Sequence, residues 1–336
     1  MARVLLTGGG GYIGGELAAA LLARGDEVVG LARTDASAAA LAARGASVVR
    51  GDVLDADGLG TAMRGCELVY HVAGVNSHCP KDPAWLVRVN VEGTENVARA
   101  AARHNVSRVV VTSSAATIGE PEGTVGSEET PHRGSYISLY ERSKHDGERA
   151  AFAVGAETGL EVVALNPSSV QGPPRSSGNG AIIIAFLSGR LRAFVNTQIS
   201  VVDVRDVVAA QLLAADSGRA GGRYVLNGVT LPATDALRMV AELAGINGRV
   251  ALVPRRLARG GAALVELVYR ARGATSPLCR ARVDTILHGH RYDGSLATRE
   301  LGLRYTPVTE TFRRTIEWAV AAGLVTRPLP GLALSG

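Results

Sequence analysis

Apolar and polar positions alternate in short blocks through the first half of the chain. An apolar run at 3–7 precedes an alanine-rich stretch at 13–24 that Gly25 closes, the pattern of a strand followed by a helix. Runs rich in β-branched residues at 27–32, 47–49, 68–73 and 108–113 predict further strands, and 161–165 predicts a sixth. Helical patterns fall between them, at 36–44, 57–64, 92–104 and about 136–158. Strands this uniformly apolar are expected where both faces of a sheet are covered. The alternation therefore predicts an α/β fold, a parallel sheet wrapped by helices.

After Asn166-Pro167 the alternation loosens. Residues 172–180 are rich in proline, serine and glycine, which predicts a loop at the edge of a cleft. Helical patterns near 204–215, 234–243, 254–272 and 308–321 predict a smaller cap. The expected division is a sheet domain over 1–170, with 201–227 returning to it. Residues 171–200 and 228–336 mainly form the cap.

Composition narrows the class. A chain of 336 residues with 46% hydrophobic and 20% charged positions has enough apolar material for a large core. The first strand begins at residue 3, so no signal peptide is expected. No apolar run reaches spanning length, and Glu266 interrupts the stretch around Leu264, so no membrane partner is expected either. Cys66, Cys79 and Cys279 are odd in number with no CxxC spacing, which predicts reduced thiols and a cytoplasmic location. No metal-ligand spacing stands out. The net charge of +5 is uneven: 249–304 holds eleven arginines against four acids. Those arginines are scattered among helix-forming residues with few aromatics, which predicts solvated helix faces, then an anionic substrate pocket, rather than a nucleic-acid surface.

The chemistry concentrates in two places. Gly8, Gly11 and Gly14 follow the first strand and open the first helix within TGGGGYIG, with Tyr12 and Ile13 in the turn. Missing side chains let a pyrophosphate approach the backbone, and a helix N-terminus supplies amide donors and a favourable dipole. At the end of the second strand Ala32 stands where an acid would bond an adenosine 2′-hydroxyl. Arg33 follows and no carboxylate appears until Asp35, which favours NADP over NAD. Asp52 and Val53, after the third strand, are placed to meet the adenine.

The second place is Tyr140-Glu141-Arg142-Ser143-Lys144. Four residues apart on a helix, Tyr140 and Lys144 share a face. Lys144 is one of two lysines beside 34 arginines, and a compact ammonium can bond a ribose hydroxyl and bias a neighbouring phenol as a guanidinium cannot. A phenol with a free pKa of about 10 needs such help to act as an acid–base near neutrality. Ser114, at the end of the fifth strand, is placed to bond the same substrate oxygen. Tyr136 is assigned to substrate contact or packing. His71 reads as a satisfied histidine or a cleft contact, and His78 and Cys79 as loop residues that could face the cleft.

These residues resemble the extended short-chain dehydrogenase/reductase family, including its NAD-dependent epimerase/dehydratase and dihydroflavonol-reductase-like branches. The resemblance runs from the glycine turn through GDV at 51–53, VYHVAG at 69–74, NVEGT at 90–94, TSSAATIG at 112–119 and YERSK at 140–144. It continues through NPS at 166–168 and VDVRDV at 202–207 to RELG at 299–302 and TIEW at 315–318. A bacterial subgroup of hopanoid-associated sugar epimerases is also similar. The resemblance implies a Rossmann-type doubly wound parallel sheet with a smaller C-terminal substrate-binding cap, and Ser114, Tyr140 and Lys144 as the catalytic residues. It implies that Ala73, Gly74 and Asn90 line the cofactor, that the loop carrying Asn166, Pro167 and Ser169 closes over the nicotinamide, and that Ala115 and Asn166 meet substrate. It further implies a homodimer through the helices near 83–104 and 136–158.

Departures from the family pattern bear on the reaction. Dehydratases of this family place an Asp-Glu pair where this chain has Ala115-Ala116, so dehydration is not expected. Nucleotide-sugar 4-epimerases carry an arginine ahead of Val-x-Asp. Here Ile199 stands there, with uncharged Thr197, Gln198 and Ser200 around it, although arginines of 249–304 could substitute. The expected activity is NADPH-dependent reduction of a ketone or aldehyde on a small metabolite. The rivals are a sugar or nucleotide-sugar 4-epimerase with retained NAD, and a non-catalytic dinucleotide sensor.

Overall fold

A computed structural model describes residues 1–274, 276 and 278–332. In chain order its strands are β1 (Arg3–Thr7), β2 (Glu27–Ala32), β3 (Ser47–Arg50), β4 (Leu68–His71), β5 (Arg108–Thr112) and β6 (Glu161–Pro167). They continue as β7 (Ser169–Gln171), β8 (Ala193–Val195), β9 (Gln198–Asp203), β10 (Arg223–Leu226), β11 (Val229–Pro232) and β12 (Ala251–Val253). The helices are α1 (Tyr12–Ala23), α2 (Asp35–Ala42), α3 (Ala56–Met63), α4 (Pro83–Asn90), α5 (Glu92–Arg103), α6 (Leu139–Thr158) and α7 (Asn179–Leu187). Then come α8 (Val204–Ser217), α9 (Ala233–Ala244), α10 (Arg255–Ala271), α11 (Arg280–His288), α12 (Ser295–Leu301) and α13 (Val308–Ala321).

Seven parallel strands form the main sheet in the order β10-β6-β5-β4-β1-β2-β3. The order reverses at β1, where the chain runs outward to β2 and β3 and then returns through β4 on the other side. Ligands of such sheets bind at that reversal, beyond the carboxyl ends of the strands. Successive side chains of a strand point to opposite faces. Val4 and Leu6 accordingly pack with Leu17, Leu21 and Val207 on one face. Leu5 packs with Leu59, Met63, Val97 and Val154 on the other. Both faces are covered, which is why the strands read as unbroken apolar runs.

The cap has its own apolar cluster, in which α7, α9 and α13 enclose Phe186, Val240, Phe312 and Ile316. A three-stranded sheet, β11-β9-β7, runs from the end of β6 into this layer, and β12 pairs with β8. α8 and β10 lie with the main sheet, whereas residues 201–203 end β9 in the three-stranded sheet. So does part of the C-terminal segment: Ala297, Leu301 and Leu303 pack in the sheet's own core.

Local chemistry explains the boundaries. α6 starts at Leu139 rather than near 136 because the Ser138 hydroxyl accepts the Glu141 amide at 3.1 Å. α4 was not legible from apolar period, yet Asp82 caps it through the Trp85 amide and Pro83 supplies its first turn. The short helices α7, α11 and α12 were missed for the same reason.

Candidate active site

The glycine turn is fixed by close approach. Gly8 has φ +73°, and a Cβ there would lie 2.5 Å from the Ala73 amide nitrogen. At Gly14 a Cβ would lie 2.2 Å from the Gly8 carbonyl, so α1 can begin against the turn only with glycine at that position. No side chain caps α1 at Gly11 and no acid occupies its first turn. The helix therefore presents amide donors that a phosphate could accept, and no competing negative charge.

A cavity of about 1210 Å³ opens from this turn to the cap, larger than a typical site for one small molecule. Its sheet side is lined by Gly8, Gly11, Tyr12, Ile13, Gly14, Arg33, Asp52, Val53, Ala73 and Gly74. Ser114, Ala115, Tyr140, Pro167, Ser169 and His78 line it further along. Arg33 stacks over Trp85 with its guanidinium carbon 5.3 Å from the ring centroid, and its Nε lies 3.9 Å from Asp52. Asp35 is fully exposed and pairs with Arg50 at 3.0 Å, away from the cavity. Tyr12 donates its hydroxyl to the Gly172 carbonyl at 2.7 Å, tying the glycine turn to the 172–180 loop.

The predicted catalytic residues converge. Ser114 follows β5 and caps a 3-10 turn, Ala115–Ile118, through the Ala116 amide at 3.3 Å. Tyr140, in the first turn of α6, lines the same wall. Burial pushes its phenol pKa up, while a hydrogen bond with Ser114 and the nearby Arg175 guanidinium oppose the rise. Lys144 lies behind, donating Nζ to the Thr112 carbonyl at 2.8 Å. Burial lowers the Lys144 pKa to about 8, against an opposing pull from Glu148. Ser114 and Arg175 thus favour the phenolate.

Four predicted residues fall outside the cavity lining. Asn90 is buried behind it, its Oδ1 accepting the Val75 amide at 2.7 Å and its Nδ2 donating to Ser143 Oγ at 2.9 Å. It braces the 73–75 loop rather than facing a ligand. Lys144 reaches only from behind the wall. Asn166 is buried and donates to the Ser114 carbonyl, Thr117 Oγ1 and Glu148 Oε2, which makes it a brace for the serine's turn. Tyr136 is exposed and packs against His132 and His145. His71 is a satisfied core histidine between Thr7 and Thr94 hydroxyls, at 2.8 and 3.0 Å, and burial lowers its pKa to about 3. His78 does face the site, edge-on to Tyr140 with ring centroids 5.2 Å apart. Burial lowers its pKa to about 4, so it is neutral.

Two features escaped sequence reading. Arg175, in the 172–180 loop, lines the cavity and stacks on Tyr12, 5.1 Å from the ring centroid. In a chain so rich in arginine no spacing singles it out. Arg282 lines the cap end. Arg255, Arg259 and Arg280 of the basic segment pair with Glu122 and Asp284. The second feature corrects the expectation of three reduced thiols: Cys79 and Cys279 form a disulfide across 200 residues, and Cys66 alone is free. Odd count and absent CxxC could not reveal a pair made by tertiary contact. The bond ties the loop bearing His78 to the start of α11. Closing so long a loop is expected to stabilise the fold by about 2–4 kcal/mol. Denaturant unfolding with and without reductant tests this, and an unchanged midpoint would mean that the bond does not stabilise the fold.

Comparison with known proteins agrees with this architecture. A family model described as the NAD dependent epimerase/dehydratase family matches residues 4–227. The chain belongs to that family. It is an NAD(P)-dependent oxidoreductase of the extended short-chain dehydrogenase/reductase type, as the motifs implied. Sterol demethylase protein B of Methylococcus capsulatus is 35% identical over 326 residues, covering 96% of this chain and 99% of the relative. A 4-hydroxy-2-methyl-3-oxo-4-farnesyl-3,4-dihydroquinoline-1-oxide ketoreductase of Stigmatella aurantiaca is 29% identical, covering 89% and 91%. Among solved structures, a nucleoside-diphosphate-sugar epimerase from Pseudomonas aeruginosa superposes with a TM-score of 0.77 at 25% identity, covering 97% and 99%. Family members thus include both reductases and epimerases. No helix among the described residues is long and apolar enough to cross a membrane.

Proposed function

We propose that the protein is an NADPH-dependent reductase of a ketone or aldehyde carried on an apolar metabolite. The carrying observation is the cap wall of the cavity, where Ile182, Ile183, Phe194, Ile199, Leu237, Val240 and Phe312 face the space beyond Ser114 and Tyr140. Such a wall favours a substrate with a large apolar body and few polar groups. The ketoreductase relative, whose named substrate carries a farnesyl chain, is in keeping with this reading.

The glycine turn, the uncapped start of α1 and the buried ammonium of Lys144 fit a dinucleotide. A reduced nicotinamide bound there supplies hydride chemistry. Tyr140 keeps its proton at neutral pH because burial raises its pKa, which suits a group that must donate to a carbonyl oxygen. Ser114 Oγ steadies the same oxygen as charge develops. Lys144, held on the Thr112 carbonyl, offers its remaining donors to a ribose hydroxyl. His78 and the apolar cap exclude water from the reacting face.

Arg33 supports NADP over NAD: it lines the cavity above Trp85 while no carboxylate at the end of β2 does. Loss of a charge-assisted phosphate contact costs about 1.5–3 kcal/mol. Arg33→Ala is therefore expected to lower kcat/KM for NADPH by about tenfold or more and to leave NADH unchanged. Equal losses with both cofactors would remove Arg33 from 2′-phosphate recognition.

One observation favours the epimerase reading. Although Ile199 occupies the usual arginine position, Arg175 and Arg282 both line the cavity and could hold a diphosphate. Against this, Ile199 and the other apolar residues of the cap wall offer a sugar no charged anchor at the usual arginine position, although Asn179, Gln198 and Ser200 also line the cavity.

A further inference from the structure

Toward the cap end of the same cavity, where His290 and Tyr292 line it, a compact set of ligating side chains joins the sheet domain to the cap. Glu120 ends the turn that follows Ser114 and Ala115–Ile118, while His288 and His290 lie at and just after the end of α11. One donor atom from each of the three lies within 4.8 Å of the others. Glu120 Oε1 stands 2.6 Å from His290 Nδ1 and 3.4 Å from His288 Nε2. The Tyr292 hydroxyl is 3.0 Å from the same His290 nitrogen.

Glu120 is buried and the two histidines are partly buried, with side-chain exposures of 1% for Glu120, 8% for His288 and 15% for His290. Three of its polar atoms, Glu120 Oε2, His288 Nε2 and His290 Nε2, have no hydrogen-bond partner among the described residues, although His288 Nε2 lies 3.4 Å from Glu120 Oε1. Buried polar atoms are ordinarily paired, so these leave lone pairs that a cation could take up. Among the described residues no lysine or arginine pairs with the Glu120 carboxylate; the Arg133 guanidinium donates to its backbone carbonyl at 3.1 Å.

We propose that Glu120, His288 and His290 bind a divalent transition-metal ion of the zinc class, with Tyr292 beside the open fourth position. Two imidazoles and one carboxylate form a donor set that suits zinc. Tetrahedral bonds of about 2.0–2.1 Å place ligand atoms about 3.3 Å apart. The 3.4 Å separation of Glu120 and His288 already meets this, and the Glu120–His290 pair opens by roughly 0.7 Å when its shared proton leaves. The ion would clasp the segment after Ser114 to the cap, a tie that does not depend on the reductase reading. Local spacing does not show the full set, because Glu120 and His290 are 170 residues apart.

The test uses the full chain, tag removed and dialysed against chelator, titrated with Zn²⁺ by calorimetry and with Co²⁺ by visible absorption. The expected result is one equivalent bound, a four-coordinate Co²⁺ band, and a higher melting temperature with metal. Glu120→Gln and His288→Gln should each weaken binding at least about tenfold, the lower bound for loss of even an outer-shell partner. Should Glu120→Gln fail to fold, His288→Gln on the cap side decides. Absence of binding to the wild-type chain, or binding unchanged in His288→Gln, would overturn the proposal and leave a proton-shared carboxylate–histidine contact.

Discussion

Tyr140→Phe is expected to lower kcat by about 10²–10⁴-fold while the dinucleotide still binds. The substitution removes one oxygen and leaves the ring that packs edge-on against His78. Cofactor affinity rests elsewhere, on the glycine turn and the uncapped start of α1. What disappears is the proton donor. Steady-state turnover together with a fluorescence titration of NADPH checks both halves. Substantial residual turnover with intact binding would mean that another group delivers the proton.

The second large effect concerns Lys144. Its pKa falls to about 8 because it is buried, with Glu148 pulling the other way and His71 neutral beside it. The form that can offer hydrogens to a ribose hydroxyl and keep positive charge near the phenol is the ammonium. Activity is therefore expected to be present below pH 8 and to fall as pH rises through that value. Stability moves in the opposite sense. Below pH 8 both folded and unfolded chains hold this proton, and burial of the charge opposes folding throughout. Between pH 8 and about 10.4 the unfolded chain binds more protons, so this group's contribution to stability rises with pH. Lys144→Met should cut kcat/KM by about 10²-fold or more, the lower range for a positioned acid–base partner. Lys144→Arg should retain charge and lose the limb near pH 8. A wild-type kcat/KM flat from pH 7 to 10 would contradict this assignment.

Much of this was legible in the chain because its signals are local. Both-face burial writes apolar runs, so β1 to β6 and their order of alternation could be read directly. The glycine turn and YxxxK are short-range patterns imposed by close approach and by helical geometry, and Ser114, Tyr140 and the turn converge as expected. Reading failed where contacts are distant in sequence. Asn90 and Asn166 belong to family motifs, yet both act as buried braces behind the wall, a distinction that needs hydrogen-bond partners to draw. Arg175 is one arginine among 34, and only its position over Tyr12 sets it apart. The Cys79–Cys279 bond and the Glu120–His288–His290 cluster are made by the cap folding back over the sheet. Only the His288-Gly289-His290 pair is local; the partners Glu120 and Cys79 lie far off in sequence.

The central claim is net reduction with exchangeable NADPH, and isotope transfer tests it most directly. Purified protein would first be denatured to release and identify any retained dinucleotide. Native protein would then be given NADPH deuterated at the transferring position with a panel of apolar ketones and aldehydes. The account predicts protein free of retained NAD, one NADP⁺ formed per alcohol, and deuterium on the new carbinol carbon. Tightly held NAD, with an alcohol substrate inverted and no net cofactor turnover, would contradict it and establish the epimerase cycle.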